Sequence, residues 1–278
     1  MNSILTILDF GRWLHYHLRC ERHRNFLLSG KRDNILRILG NGPSLAEATS
    51  RMIVDPSIDY CMVNFSPLSE LFFRVQPKYY MMADDGFFKD IEGIRDRIIK
   101  LKDRVAAIDW SITLLVPYIY LDEAQKRYGQ NPFITVLPFN RGYLSDGFKF
   151  RKLALWLYRK GLASPRMMNV VVAALYCMLT LGYKEIELYG VEHSWMKQLI
   201  VDDDNRVCME DPHFYDAGKN NVVLYIGGRP ERIWEQLRNQ ADTFAAYGEL
   251  KFYADYQGAT VINKTRGSYI DAFKRNYE

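Results

Sequence analysis

Short runs of consecutive apolar residues alternate along the chain with longer stretches in which apolar positions recur every three to four residues. Asn34-Ile-Leu-Arg-Ile-Leu39 is a buried-strand pattern that runs directly into Gly40-Asn-Gly-Pro-Ser-Leu45. Tyr60-Cys-Met-Val63 ends on Asn64, and Tyr79-Tyr-Met-Met82 is followed by Ala83 and Asp84. Ile112–Val116, Ile134–Val136, Lys184–Tyr189 and Thr260–Ile262 read as further strands. Asp90–Val105, Asn169–Leu181 and Pro230–Tyr247 carry helical character, with Gly182 stopping the second, and Gly267–Phe273 is predicted as a terminal helix. Strands alternating with helices predict an α/β fold built on a doubly wound, mostly parallel, Rossmann-like sheet.

Two stretches depart from that alternation. In residues 1–33, Ile4, Ile7, Leu8, Leu14 and Leu18 fall on one helical stripe bordered by Arg12, Arg19, Arg22, Arg24, Lys31 and Arg32. This segment is expected either to pack as a helix on the main unit, residues 34–278, or to touch an anionic inner-membrane surface or a partner subunit. Residues 140–168 are aromatic, basic and irregular, which predicts a lid or acceptor loop, and 193–220 is expected to form a second polar loop.

Composition narrows the classes. A formal charge of +4 in 278 residues is too small to argue for a nucleic-acid partner and is compatible with anionic substrates. The four cysteines are scattered, so neither a disulfide framework nor a zinc cluster is expected and a reducing, cytoplasmic setting follows. The longest apolar run, Val170–Leu181, is shorter than the roughly 20 residues of a membrane span.

In open parallel sheets ligands bind at the carboxyl ends of strands, so strand-end residues are the first candidates. The glycines at 40 and 42 permit a tight turn with close backbone approach. Pro43 suits a first helical position, and free amides at Ser44 and Leu45 would then face an anion. This is neither a Walker loop nor a full dinucleotide fingerprint, and a plain strand–helix turn is the competing account. Asn64 and Asp84 can read ribose hydroxyls or a pyrimidine edge, or simply serve turns and caps. Glu192, His193, Ser194 and Trp195 crowd another strand exit, with His213, Tyr215 and Asp216 about twenty residues on. His193 and His213 are the two imidazoles outside the basic N-terminal segment, and either can take a proton from a hydroxyl. Asp202-Asp-Asp204 reads as a metal site of D-x-D type or as an exposed turn.

Taken together, Gly40-Asn-Gly-Pro-Ser-Leu45, Leu181-Gly-Tyr-Lys-Glu-Ile186 and Gly190-Val-Glu-His193 resemble the bacterial sialyltransferases of glycosyltransferase family 42. They also resemble the wider domain family that includes flagellin-modifying transferases and a hydroxymethylpterin pyrophosphokinase. The likeness extends over roughly residues 34–275. It implies a sialyltransferase-type variant of the GT-A fold and a CMP-sugar donor, with no metal or other cofactor. An acidic sugar (a nonulosonic acid or Kdo) would pass with inversion to a surface-glycan or glycolipid acceptor.

By the same resemblance Asn41, Gly42 and Ser44 hold CMP, and Asn64 matches a nucleotide-binding asparagine. Asp84 stands where the family has another asparagine, and Asn169 replaces a Thr-Ser-Gly run. Glu192 matches the family acid and Ser194 occupies the position of a phosphate-binding tyrosine, so that role passes to His193, Ser194 or Tyr215. His213 matches the general base. Asn263-Lys-Thr-Arg-Gly-Ser268 parallels the family's last strand–turn–helix. Two alternatives stay open: a magnesium-dependent pyrophosphokinase using Asp84 or Asp202–Asp204, and a non-catalytic nucleotide- or glycan-binding partner.

Overall fold

A computed structural model describes residues 2–19, 30, 32–51, 54–89, 95–144, 148–211, 220–226 and 228–277. Among these residues the centre is an eight-stranded sheet with neighbour order β13-β12-β6-β1-β2-β3-β4-β5, every adjacent pair parallel. The strands are β1 (Leu36–Leu39), β2 (Asp59–Val63), β3 (Tyr79–Met81), β4 (Ile112–Pro117), β5 (Ile134–Phe139), β6 (Glu185–Tyr189), β12 (Thr260–Asn263) and β13 (Lys274–Arg275). The chain runs outward from β1 to β5, then returns to lay β6 on the other side of β1. The order therefore reverses between β1 and β6.

Strand periodicity divides the core in two. Ile38, Cys61, Val63, Tyr79 and Met81 pack with α6 (Arg151–Arg159), α7 (Val170–Leu181) and α8 (Ile233–Gln257). Their alternate neighbours Leu39, Tyr60, Met62, Tyr80 and Met82 pack on the opposite side. There they meet Phe72 and Val75 of α3 (Glu70–Val75), Leu101 of α4 (Arg95–Ala106) and Ala124 of α5 (Leu121–Tyr128). A period of two in strands covered on both faces is the physical origin of these near-continuous apolar runs.

α7 is buried along its whole length apart from its first residue. Its start is fixed by Asn169, whose Oδ1 accepts the amides of Val171 and Val172 at 2.9 Å. Its end is fixed by Gly182 at φ 103°, where a Cβ would sit 1.9 Å from the Gly30 carbonyl oxygen. α2 (Ser44–Arg51) follows the Gly40–Pro43 turn.

Three expectations change. Residues 140–168 are not irregular throughout, because α6 lies within them and Ala154, Leu155, Leu157 and Tyr158 enter the core. Lys152 and Arg159 lie on the exposed side of this amphipathic helix, which has no side-chain N-cap. Residues 193–220 are not simply loop. They contain β7 (Leu199–Val201) and β8 (Val207–Asp211), which form an antiparallel sheet with β9 (Asn220–Val223). A short β10 (Tyr225–Ile226) and β11 (Arg229–Pro230) hairpin leads into α8, which continues past Tyr247 to Gln257.

The expected terminal helix at Gly267–Phe273 is an extended turn instead. Arg275 Nη2 donates to the carbonyls of Ser268 and Ile270, and Gly267 sits at φ 69°.

α1 spans Asn2–Arg19. It meets the main unit through Trp13, whose Nε1 donates to the Leu162 carbonyl at 2.9 Å. Within its apolar stripe Ile7 is 72% exposed and Leu18 64%. Among the described residues no helix is long and apolar enough to cross a membrane.

Candidate functional site

A cavity of about 850 Å³ opens at the carboxyl ends of β1, β2, β3 and β6, where the strand order reverses. It is lined by Asn41, Gly42, Asn64, Asp84, Asn169, Glu192, His193 and Ser194, eight of the eleven residues singled out in the sequence. Ser44 stands behind Glu192, and His213 and Tyr215 lie outside the described residues.

The glycine turn does not present free amides. Ser44 N–H donates to Glu192 Oε1 at 2.6 Å and Leu45 N–H to the Gly42 carbonyl at 3.0 Å. The protein's own carboxylate thus occupies the start of α2, the place assigned in the sequence to a ligand anion. Gly42 is required there, because a Cβ would lie 1.6 Å from Glu192 Oε2 and 2.7 Å from the Gly190 carbonyl oxygen. Asn41 ties this turn to the next strand, its Nδ2 donating to the Val63 carbonyl at 3.2 Å.

The loop after β6 is held from below by the C-terminal turn. Val191 N–H donates to Thr265 Oγ1, Ser268 Oγ donates to the Val191 carbonyl, and Tyr269 N–H donates to the Glu192 carbonyl at 2.7 Å. Asn263 bonds both Ser268 and Thr265. The Asn263–Ser268 motif therefore contributes by fixing the Glu192 backbone.

His193 is 8% exposed, adopts φ 48°, and places Nε2 2.5 Å from the Tyr247 hydroxyl of α8. Its ring stacks on Trp195 at 4.5 Å. Burial lowers its pKa to about 4, so the imidazole is neutral at physiological pH. A neutral imidazole offers no positive charge to a phosphate, and its Nε2 is engaged by Tyr247. The Tyr247 hydroxyl also reaches Asn169 Oδ1 at 3.4 Å, which links His193 to the cap of α7.

Three polar atoms buried at this cavity have no hydrogen-bond partner: Asn64 Oδ1, Asn169 Nδ2 and Glu192 Oε2. Asn169 cannot relieve its orphan by flipping, because its Oδ1 already accepts the two α7 amides. An unmet buried polar group costs about 1–3 kcal/mol, so these residues around one cavity leave two acceptors and one donor unanswered. Asn64 is also a turn residue, at φ 49° with its carbonyl accepting from the Tyr80 hydroxyl at 2.5 Å. Asp84 serves mainly as a cap, Oδ1 accepting from Gly86 N at 2.8 Å.

Sequence reading missed Arg141, Asp85 and Tyr247. Arg141 Nη1 pairs with Asp85 Oδ1 at 2.9 Å, and Tyr16 of α1 lies beside it. Burial acts to lower the pKa of this guanidinium, but Asp85 and Tyr16 together outweigh it and the net direction is upward. Its signal is its place just past the end of β5, the strand-end position at which parallel sheets bind ligands. Tyr247 sits inside a long helix and gave none.

Asp202–Asp204 is a hairpin turn between β7 and β8. Asp202 Oδ1 accepts from Asp204 N and Arg206 N, and its Oδ2 pairs with Arg206 Nε at 2.8 Å. Among the described residues no three His, Cys, Asp or Glu side chains converge as ligands. No protein-family model, curated protein or solved structure matches this chain.

Proposed function

We propose that the cavity binds the nucleotide of a CMP-activated acidic sugar, a nonulosonic acid or Kdo, and that the chain is an inverting glycosyltransferase acting on a surface-glycan or glycolipid hydroxyl. On this reading the sheet is a doubly wound, Rossmann-like scaffold of sialyltransferase type, working in the cytoplasm. The observation that carries the proposal is the trio of unpartnered atoms on residues that line the cavity. Ribose hydroxyls or a cytosine amine would donate to Asn64 Oδ1 and Glu192 Oε2. A base carbonyl or phosphate oxygen would accept from Asn169 Nδ2. A cavity of this size suits a small-molecule ligand, and its position at the strand-order reversal is where open α/β sheets bind theirs.

Transfer breaks the bond between the anomeric carbon and the phosphate oxygen. The electron pair leaves on CMP while the acceptor oxygen attacks the opposite face and gives its proton to a base. Phosphate is a good leaving group, so the protein's task is to orient, to offset the departing charge and to take that proton. Arg141 and Ser194 face the leaving charge, His213 is assigned as the base, and neutral His193 positions the Glu192–Ser194 loop. No metal is required in this scheme.

The test is thermal-shift screening against CMP, CDP, UDP, GDP and ATP, with and without EDTA. CMP at a hundred times its dissociation constant should stabilise the protein by about 2.7 kcal/mol without metal. Stabilisation by ATP alone, dependent on magnesium, would replace the proposal with pyrophosphoryl transfer, and no response to any nucleotide would end it. His213→Ala should keep CMP binding and lose turnover by about a hundredfold or more.

A further inference from the structure

The outward side of α6 carries the least expected surface of the molecule. Phe150, Leu153 and Trp156 are 64%, 41% and 45% exposed, while their neighbours Ala154, Leu155, Leu157 and Tyr158 are buried. Exposure of Leu153 and Trp156 follows from their three-residue spacing, which puts both on the face opposite the core. Around them stand Lys152, Arg159 and Lys160, all exposed, and the sequence from Lys149 to Lys160 contains no acidic residue. Among the described residues none of these three cations pairs with a carboxylate.

The apolar character continues onto both neighbours of α6. Arg151 stacks on Phe252 of α8 at 3.9 Å and pairs with Glu249, so the 53%-exposed Phe252 borders the start of α6. Trp13 binds the Leu162 carbonyl just beyond the end of α6 and packs at a tilt against Phe10, itself 40% exposed, which brings this part of α1 to the end of α6. Contiguous exposed apolar surface of this kind marks an interaction site. Its ring of lysine and arginine selects among partners by charge.

We propose that this face docks on an anionic lipid bilayer, with Trp156, Leu153 and Phe150 entering the headgroup boundary and Lys152, Arg159 and Lys160 meeting the lipid phosphates. Short basic helices with aromatic and leucine side chains on the same side bind interfaces in this way. The site is distinct from the membrane contact expected of residues 1–33, which becomes a flank of the α6 surface. It also has a bearing on the cavity, because Arg141 and Met167–Asn169, which line it, bracket α6 in the chain. The inference does not rest on the nucleotide assignment.

Co-sedimentation of the full chain with phosphatidylcholine vesicles, with and without phosphatidylglycerol, tests it. Binding should require phosphatidylglycerol and weaken with salt. It should fall about tenfold or more in Lys152→Glu/Lys160→Glu, and comparably in Leu153→Ser/Trp156→Ser. Unchanged melting temperatures and an unchanged CMP response would keep folding and the nucleotide proposal separate from this result. The inference is overturned if the protein ignores anionic vesicles or if either variant binds them like the parent. Sedimentation velocity showing a dimer that Leu153→Ser/Trp156→Ser dissolves would overturn it too, by assigning the face to a second copy.

Discussion

The two walls of the cavity are built on opposite principles. On the β1–β6 side nearly every polar group is answered within the protein: Ser44 by Glu192, Val191 by Thr265 and Ser268, the Glu192 carbonyl by Tyr269. On the side of β2 and α7, Asn64 and Asn169 hold polar atoms in the cavity wall with nothing to bond. The first wall is a frame and the second a receptor, with Glu192 belonging to both because one oxygen is used and the other is not. Substitutions in the frame should lower stability, whereas those in the receptor should lower affinity and leave stability nearly intact.

The largest effect is expected at Gly40, where a Cβ would lie 2.3 Å from the Gly190 carbonyl oxygen and 2.9 Å from Val191 Cγ1. Because the nearest obstacle is backbone, Gly40→Ala should cost about 3 kcal/mol in denaturant unfolding. A loss below about 0.5 kcal/mol would mean that the frame yields easily, and the comparison would fail.

His193 should make the frame acid-sensitive. Its imidazole takes up a proton near pH 6.5 in the unfolded chain but only near 4 in the fold. Between those values the unfolded chain binds more protons, so acid favours unfolding. The contribution of about 3 kcal/mol, full above pH 6.5, fades as the pH drops to 4. His193→Gln should flatten that part of the stability–pH curve, and parallel curves for the two proteins would contradict the burial argument.

Asn169 separates the two principles within one residue. Asn169→Ala should lose about 1 kcal/mol through the helix cap, together with ligand affinity, whereas Asn169→Ser should restore the cap and leave affinity low. Recovery of both by serine would remove Nδ2 from the receptor. With the smallest effect on stability, Glu192→Gln should weaken nucleotide binding by about tenfold with melting nearly unchanged, since it removes charge at the atom left unpaired. Calorimetric titration with CMP measures both effects.

How far the sequence reached differs in the same way. The strands were legible because burial on both sheet faces leaves continuous apolar runs. The strand-end residues Asn41, Asn64 and Asp84 followed from where parallel sheets bind ligands, whereas Asn169, the cap of α7, came from the resemblance alone. Partnership was not legible: that Glu192 fills the helix start, or that Tyr247 binds His193 from 54 residues away, depends on tertiary contact. α6 does carry a helical rhythm, with Ala154, Leu155, Leu157 and Tyr158 on one face, but the exposed Trp156 and the basic residues around it resemble the composition of a loop.

The position of β1 has a consequence for how the protein is made. It lies between β2, its near neighbour in the chain, and β6, with Arg37 bonded to Glu187 across 150 positions. A ribosome-bound chain can assemble the first five strands early, yet half of the cavity's frame is still unsynthesised and β1 still shows a bare edge. Any nascent chain stalled before β6 emerges would therefore have no ligand pocket and one unprotected strand, a form that chaperones or proteases could tell apart from the finished molecule.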